Sequence, residues 1–363
     1  MNIGSIRIRG YKSIENQEVK LGPINLLIGG NGVGKSNFIS SFTLLRNLYE
    51  MNLQTYVESK GRANALLHFG VKNTQQIVLE ILFSGDDGKK MNSFHVTLQE
   101  AQGKLLVQSV DTYFYSGASK FHQKHSNTLM EESTFKQAKD RQASYVNPFL
   151  QQFEVFHFHD TGDTSPLKQS CEVNDNRKLK KDGSNLPAFL YRLKKTAPKS
   201  FRRIEKLIQS IAPFFDHFIL EPLVLSPEYI KLEWKEKGSI DTTFNAYHLS
   251  DGTLRFIALV TLLMQPEPPA TIIIDEPELG LHPVAINKLA GLIRIASKKS
   301  QIIISTQSVN LVNNFEPEDI IVADRKGKAT TFKSLDKEKL GVWLEDYTMG
   351  EVWEKNIIGG QPL

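Results

Sequence analysis

The stretch Ile24-Asn25-Leu26-Leu27-Ile28-Gly29-Gly30-Asn31-Gly32-Val33-Gly34-Lys35-Ser36 decides the fold. A short apolar run bounded by glycines reads as a buried strand, and a helical run from Lys35 to Glu50 follows it. Between strand and helix, residues 29–36 fit G-x-x-x-x-G-K-[ST] in the context that this pattern requires. Glycines let the backbone curl until successive N–H groups face inward, and the helix beyond adds its positive end. Such a loop suits the phosphates of a nucleotide. The cradle falls to Asn31, Gly32, Val33, Gly34, Lys35, Ser36 and Asn37, with Lys35 reaching the β- and γ-phosphates and the Ser36 hydroxyl holding Mg²⁺. ATP and Mg²⁺ are therefore the expected ligands.

Working outward, Ile3 to Ile8 alternates as a strand, and Gln17 to Leu21 follows as another. Gln76 to Phe83, Ser93 to Gln99 and Leu105 to Tyr115 read as further strands, parted by the turns Ser84-Gly85-Asp86-Asp87-Gly88 and Ala101-Gln102-Gly103. Residues 1–115 should thus form a first lobe, a mixed sheet wrapped around one helix. Over 116–215 polar stretches lead into helical spacing at Leu186 to Leu193 and Phe201 to Ile211, the texture of an inserted, largely helical subdomain. Strand signals return at Phe218, and Leu254 to Met264 is an apolar helix. Thr271 to Ile274, Gln301 to Ile304 and Asp319 to Val322 are buried-strand runs. Apolar strands alternating with helices predict a parallel sheet covered on both faces. Residues 216–330 would be a second lobe, and 331–363 a tail packed on the core.

Thr271-Ile272-Ile273-Ile274-Asp275-Glu276 delivers two adjacent carboxylates at the carboxyl end of a strand, where ligands bind in such sheets. Asp275 suits the Mg²⁺ shell and Glu276 the polarising of an attacking water. Standing alone, the pair would be an exposed strand end. Just upstream, Leu249-Ser250-Asp251-Gly252-Thr253 opens the apolar helix, so a Ser hydroxyl, a Gly backbone and a helix N-terminus make a second anion site. A plain N-cap by Ser250 or Asp251 is the alternative. The strand 301–304 ends in Ser305-Thr306-Gln307-Ser308, where Gln307 can hydrogen-bond phosphate or water but cannot become cationic. In Ile6-Arg7-Ile8-Arg9-Gly10-Tyr11-Lys12-Ser13, either Lys12 or Ser13 could touch the nucleotide, the alternative being a solvated β-turn.

Together these motifs resemble the ABC-type P-loop ATPases of the RecF, OLD (overcoming lysogenization defect) and SMC group, over nearly the whole chain. Within that group they resemble bacterial ATPases of the AAA-15 and AAA-21 type. Pro277-Glu278-Leu279-Gly280-Leu281-His282-Pro283 is similar to the segment after the second strand in that group rather than in membrane transporters, which places Gly280 and His282 in its D-loop. Asp182-Gly183-Ser184-Asn185-Leu186 and the stretch from Trp343 to Gly350 resemble one subfamily of stand-alone members. The resemblance implies an α/β fold: an ABC-ATPase head with a P-loop parallel sheet, an antiparallel β subdomain and an inserted helical subdomain. It implies a homodimer or higher oligomer with ATP sandwiched between copies, the Ser250, Asp251 and Gly252 signature of one closing over the γ-phosphate on another. It also implies hydrolysis in which Glu276, Lys35 and Gln307 are catalytic, although many relatives carry a histidine where Gln307 stands. The insertion has no sustained heptads, which excludes the coiled-coil arms of SMC proteins, and the residues beyond Ala323 are too few for the Toprim nuclease of OLD proteins. The implied partner is a separately encoded effector in an anti-phage system. Two other readings stay open, a DNA repair or DNA-end-binding ATPase similar to RecF and a non-hydrolysing nucleotide-sensing scaffold. For the glutamine loop of such proteins only Gln75 and Gln76 offer themselves.

Composition narrows the classes further. The 363 residues are 40% hydrophobic, enough for a large core. Forty-four basic residues against 40 acidic ones give a net charge of +4, a near balance that does not by itself point to nucleic acid. Locally, Arg177, Lys178, Lys180, Lys181, Arg192, Lys194, Lys195, Lys199, Arg202, Arg203 and Lys206 are interrupted only by the acids Asp182 and Glu205. That run could track the phosphate backbone of DNA, while a solvated helical face is the usual explanation. The single cysteine, Cys171, excludes an internal disulfide framework and suits a reducing cytosol. No apolar run approaches the ~20 residues of a membrane span, and the N-terminus lacks a signal peptide's apolar stretch. A cytoplasmic protein without a membrane partner is expected. In Phe156-His157-Phe158-His159-Asp160 the two histidines would share one face of a strand and could share an ion, but no third and fourth ligand follow. Trp343, Tyr347 and Trp353 are expected to dock on the core, with a partner or dimer contact as the alternative.

Overall fold

A computed structural model describes residues 2–85, 90–117, 119–126 and 128–361. The chain begins with β1 (Asn2–Tyr11), β2 (Ile14–Lys20), β3 (Ile24–Ile28), α1 (Lys35–Tyr49), α2 (Leu53–Ser59) and α3 (Arg62–Leu66). Next come β4 (Gln76–Ser84), β5 (Lys90–Ala101), β6 (Lys104–Ser116), β7 (Ser119–Ser126), α4 (Arg141–Leu150), β8 (Val155–Phe156) and β9 (Cys171–Glu172). After these are α5 (Leu186–Thr196), α6 (Pro198–Gln209), β10 (Phe215–Ile219), β11 (Pro222–Leu223), β12 (Ser226–Ile230), β13 (Glu233–Glu236) and β14 (Phe244–Asn245). The last are α7 (Asp251–Met264), β15 (Thr271–Asp275), α8 (Pro283–Ala296), β16 (Gln301–Thr306), α9 (Val309–Val312), β17 (Ile320–Lys326), β18 (Ala329–Ser334), α10 (Lys337–Asp346) and α11 (Met349–Glu354). The architecture is mixed α/β.

Two units divide the chain: Met1–Val155 with Ala270–Ile273 and Gln301–Leu363, and Phe156–Pro269 with Ile274–Ser300. The first unit holds an antiparallel sheet of order β2-β1-β4-β5-β6-β7. Strand β4 alternates strictly, burying Ile77, Leu79, Ile81 and Phe83 while the residues between stay half-exposed, as one covered face requires. Against that face α1 places Phe38, Phe42 and Leu45. A fully buried side chain of this size contributes about 1.5–3 kcal/mol. The turn expected at 84–88 lies largely outside the described residues. The turn at Gln102 and Gly103 is a tight hairpin, both residues taking positive φ.

The second sheet has the order β18-β17-β3-β16-β15-β8. Strand β3 runs parallel to both β16 and β17, and β18 folds back antiparallel on β17. Every residue of β3 and β16 is buried, which explains why both read as unbroken apolar runs. One buried polar side chain ties the two sheets. Gln301 donates through Nε2 to the Ile3 and Gly22 carbonyls, each at 2.8 Å, and its Oε1 accepts from the Ile3 N–H at 2.9 Å.

In the second unit α5 and α6 realise the two helical runs, each with a proline in its first turn. Helix α6 buries Phe201, Ile204 and Ile208 and turns Lys199, Arg202, Arg203 and Lys206 outward. Helix α7 buries every residue from Thr253 to Met264 and packs between α6 and α8. Two three-stranded antiparallel sheets, β10-β13-β14 and β11-β12-β9, complete this unit.

Several local expectations need correction. Residues 119–126 continue the first sheet as β7, where the sequence suggests only polar insertion. The strand is invisible in the sequence because its first six residues are exposed on both faces and so carry no apolar alternation. Strand β8 ends at Phe156, leaving His157, His159 and Asp160 in irregular chain rather than along one strand face. The two imidazole centroids are 6.1 Å apart. Among the described residues no group of three or more His, Cys, Asp or Glu could hold a metal ion. Trp353 docks on the core and Tyr347 is half-buried, whereas Trp343 keeps 43% of its surface exposed. Among the described residues no helix is long and apolar enough to cross a membrane.

Replacing Gln301 with leucine strands the Ile3 N–H and takes a donor from the Ile3 and Gly22 carbonyls, the latter keeping Asn25 Nδ2 at 2.9 Å, so Gln301→Leu should cost about 2 kcal/mol. The check is the urea midpoint. A loss below about 0.5 kcal/mol would mean that these groups find other partners.

Candidate functional site

In the first unit the phosphate loop leaves β3 and enters α1 through Gly34, which takes φ +112°. A Cβ there would lie 2.2 Å from Thr330 Oγ1 and 2.8 Å from Ser13 Oγ, so only glycine fits. Helix α1 starts with no side-chain cap and no acidic residue in its first turn, which leaves its positive end available to an anion. Lys35 is buried to 5% exposure, and its ammonium donates to the Gly29 carbonyl at 2.6 Å and the Gly30 carbonyl at 2.9 Å. Asn31, Gly32 and Ser36 are exposed, while Val33 and Gly34 are buried.

A chain of polar contacts holds the loop from behind. Thr330 Oγ1 lies 2.7 Å from both the Val33 carbonyl and Ser13 Oγ. Thr330 is the donor in both contacts, so its one proton is shared between the Val33 carbonyl and Ser13 Oγ. Asn37 in turn donates from Nδ2 to Ser13 Oγ at 2.7 Å. Ser13, Val33, Gly34 and Asn37 are therefore brought together. Lys12 points elsewhere, its Nζ donating to Ser40 Oγ at 3.0 Å. Its pKa is depressed, first by burial and then by the nearby Lys60 charge. Gln76 opens β4 and donates from Nε2 to Gln99 and Gln108, and with Gln75 it lines an open cavity of about 980 Å³ beside Arg9, His68 and Lys328. Also in this unit, β16 ends at the buried Thr306, and the exposed Gln307 follows. Ser308 then caps α9, accepting from the Leu311 N–H at 3.2 Å.

In the second unit Ser250 is the N-cap of α7, its Oγ accepting from the Thr253 N–H at 3.2 Å. The plain-cap alternative thus describes a real bond, which leaves the exposed hydroxyl able to serve a ligand as well. A Cβ on Gly252 would come within 2.5 Å of the Gly280 carbonyl, so signature and D-loop meet backbone to backbone. Ser250, Gly252, Gly280 and His282 line one cavity of about 390 Å³. His282 caps α8 through Nδ1, which accepts from the Val284 N–H at 3.3 Å. Asp275 closes β15, and both it and Glu276 are half-exposed. Glu276 takes φ +41°, a left-handed conformation rare for a side chain of this kind and a form of backbone strain that clusters at active sites.

Three supporting residues carry no signal strong enough to single them out in the sequence. Thr330 is remote in sequence from the loop that it props. Lys168, nearly buried, sits 3.7 Å from the Asp251 carboxylate. Arg255 looks like one more position of an apolar helix, yet it is buried and donates to the carbonyls of Phe158 and His159 at 2.9 Å each. Burial lowers its pKa, and the Asp251 and Glu278 charges oppose that shift. The segment expected to offer metal ligands thus gives its backbone to the signature helix. An arginine at i+4 from Asp251 is the one signal available.

Comparison with known proteins agrees with this geometry. The family model described as "AAA domain, putative AbiEii toxin, Type IV TA system" matches residues 24–313. The energy-coupling factor transporter ATP-binding protein EcfA of Methanocaldococcus jannaschii is 39% identical over 82 residues, 22% of this chain and 28% of the EcfA protein. The match thus spans little more than a quarter of that relative's length. Among solved structures, an Smc head bound to the C-terminal winged-helix domain of ScpA aligns with a TM-score of 0.61 at 17% identity, over 94% of this chain and 100% of the other. The Smc head with an extended coiled coil, bound to the C-terminal domain of ScpA and derived from Pyrococcus furiosus, gives 0.59 at 16% identity, over 95% and 99%. At these identities the likeness is one of fold.

Thr330→Val removes the hydroxyl but keeps the shape, taking a donor from the Val33 carbonyl and from Ser13 Oγ, which keeps only the Asn37 amide. The expected loss is about 1–2 kcal/mol in denaturant unfolding, with Thr330→Ser recovering most of it. Equal losses for the two variants would assign the effect to packing instead.

Proposed function

Because the chain belongs to this AAA family and is an ABC-type P-loop ATPase of the SMC and RecF group, we propose that it acts as an ATP-driven, dimerising switch. One observation carries the reading: the chain holds two places suited to an anion, of different construction. The first is the loop around Lys35, and the second is the cavity bounded by Ser250, Gly252 and Gly280. A single nucleotide would use the first on one copy and the second on another. ATP closes two copies, and hydrolysis reopens them.

The roles follow from the chemistry of each group. Lys35 and the N–H groups from Asn31 to Asn37 bind the phosphates. Exposed Ser36 and half-exposed Asp275 offer the hard oxygens that Mg²⁺ prefers, and the ion when bound neutralises developing charge on the transferred phosphoryl group. Glu276 orients and deprotonates the attacking water. Gln307 contacts the γ-phosphate as a neutral hydrogen-bonding sensor, and proton transfer falls to Glu276 alone. Ser250, with the backbone at Asp251 and Gly252, completes the site in trans, and Gly280 and His282 border it.

The output would pass to a separately encoded protein, and a role in anti-phage defence fits a family described by a toxin–antitoxin system. Complexes of the similar Smc heads with ScpA support the idea that such a head works through a protein partner. A RecF-like role on DNA is the second reading, favoured by the basic outer face of α6. DNA-stimulated turnover with steep salt dependence would support that role, and a stable co-purifying protein the first.

Glu276→Gln should lower steady-state ATP turnover by about 10²–10⁴-fold. In ATP and Mg²⁺ it should accumulate as a dimer by light scattering, whereas Ser250→Arg should stay monomeric. An oligomeric state indifferent to ATP in both variants would overturn the sandwich mechanism, and an unchanged rate in Glu276→Gln would overturn the catalytic assignment.

A further inference from the structure

The segment that follows β18 does more than cover the core, because it touches both nucleotide-handling stretches of the first unit. It first meets α9, the helix that follows β16. Thr348 opens α11 with a capping box, its backbone N–H and hydroxyl both bound to the Glu351 carboxylate at 2.8 Å. Helix α11 packs on α9, the short helix that begins just after Gln307. The approach is close: the Gly350 N–H donates to Asn313 Oδ1 at 2.6 Å, and a Cβ on Gly350 would lie 2.4 Å from Val309 Cγ1. Val352 and Trp353 are buried.

From α11 the chain turns back toward the phosphate loop. Asn356, Gly359 and Gly360 all take positive φ, and Gln361 donates from Nε2 to the Trp353 carbonyl at 3.2 Å, which closes the turn. Gly360 then lies on the loop itself. Its carbonyl accepts from the Gly30 N–H at 2.6 Å. A Cβ on Gly360 would be 2.8 Å from Val322 Cγ1 and 3.5 Å from Gly29 Cα. Gly29 and Gly30 are also the residues whose carbonyls hold the Lys35 ammonium. Whatever moves peptide 29–30 therefore moves Lys35.

We infer that residues 348–361 form a strap joining the γ-phosphate sensor to the phosphate loop, with Gly350 and Gly360 as its positioning residues. This rests on the ATPase reading above. The strap touches no phosphate. It acts through Lys35 at one end and through α9, and hence Gln307, at the other. The Gly360 contact should set affinity for any nucleotide, because Lys35 meets the β-phosphate of ADP as well as ATP. The Gly350 contact should matter only once a third phosphate engages Gln307. A covering segment with no such role would affect both nucleotides alike or neither.

The test uses the full chain with Gly360→Val and Gly350→Val, reading ADP affinity by calorimetry, turnover under saturating ATP, and the thermal midpoint. Gly360→Ala replaces the valine variant if that does not fold. Gly360→Val should weaken ADP binding by about tenfold or more, because a displaced lysine loses its alignment with the phosphates. Gly350→Val should leave ADP binding within about twofold and lower kcat by about tenfold or more. If the variants bind ADP and turn over ATP like the parent and differ only in thermal midpoint, the segment is packing and the inference is overturned. It is overturned equally if Gly350→Val weakens ADP binding as much as Gly360→Val does. A parent chain that binds no ADP would instead sink the ATPase reading, and the strap with it.

Discussion

A buried ammonium group needs acceptors, and Lys35 imposes that demand on everything around it. Leaving such a charge unpaired would cost several kcal/mol, so the first two peptides of the loop turn their carbonyls back toward Nζ. The backbone can turn so tightly only with glycine at the bends, and the loop is then so thin that its neighbours approach at backbone distance. Strand β17 lies against Gly29, β18 supplies Thr330 to the Val33 carbonyl, and Gly360 takes the Gly30 N–H. Each contact removes a polar group from water and returns it a partner. The loop is held in shape by the sheet, and the sheet is built to reach it.

The same logic explains which parts of the molecule the sequence discloses. Local chemistry is legible. Strands β3, β15 and β16 are buried on both faces and so appear as apolar runs, and the glycine and lysine spacing after β3 has few other uses. Helix α6 is legible because its apolar and basic residues fall on opposite sides. What stays hidden is either free of periodicity or distant along the chain. Strand β7 has solvent on both faces and alternates nothing. Thr330 and Gln301 act through one hydroxyl and one amide on residues hundreds of positions away, and such contacts leave no pattern in a window of any length. His157 and His159 mislead for the opposite reason, because their alternation implies a strand that has already ended.

Within the second unit α7 shows how burial can hold a helix N-terminus in a defined place. Helix α7 is apolar almost throughout, so its position is fixed by burial and its N-terminus is carried to a defined place. Arg255 is the charged residue on that buried surface, and its two bonds to backbone carbonyls give the helix a rotational reference that apolar packing alone lacks. Gly252 then allows the Gly280 carbonyl to approach, so the first turn of the helix and the D-loop form one wall. A side chain at Gly252 would separate the two, and one at Gly280 would press on the Arg255 guanidinium at 3.0 Å.

On the proposed ATPase reading, Glu276 and Gln307 would divide a task that the resembled family shares between a carboxylate and a histidine. Glutamine offers a hydrogen bond without a titrating charge, so it could meet a phosphate oxygen but could not hold a proton. On that reading the burden would rest on Glu276, which the fold keeps in a left-handed conformation at the end of a fully buried run of isoleucines. Strain of this kind survives only where the surroundings over-determine it, and here β15 fixes the chain before Glu276 while the half-buried to buried stretch Glu276–Glu278 leads into the D-loop behind it. The backbone thereby fixes where Glu276 leaves the strand.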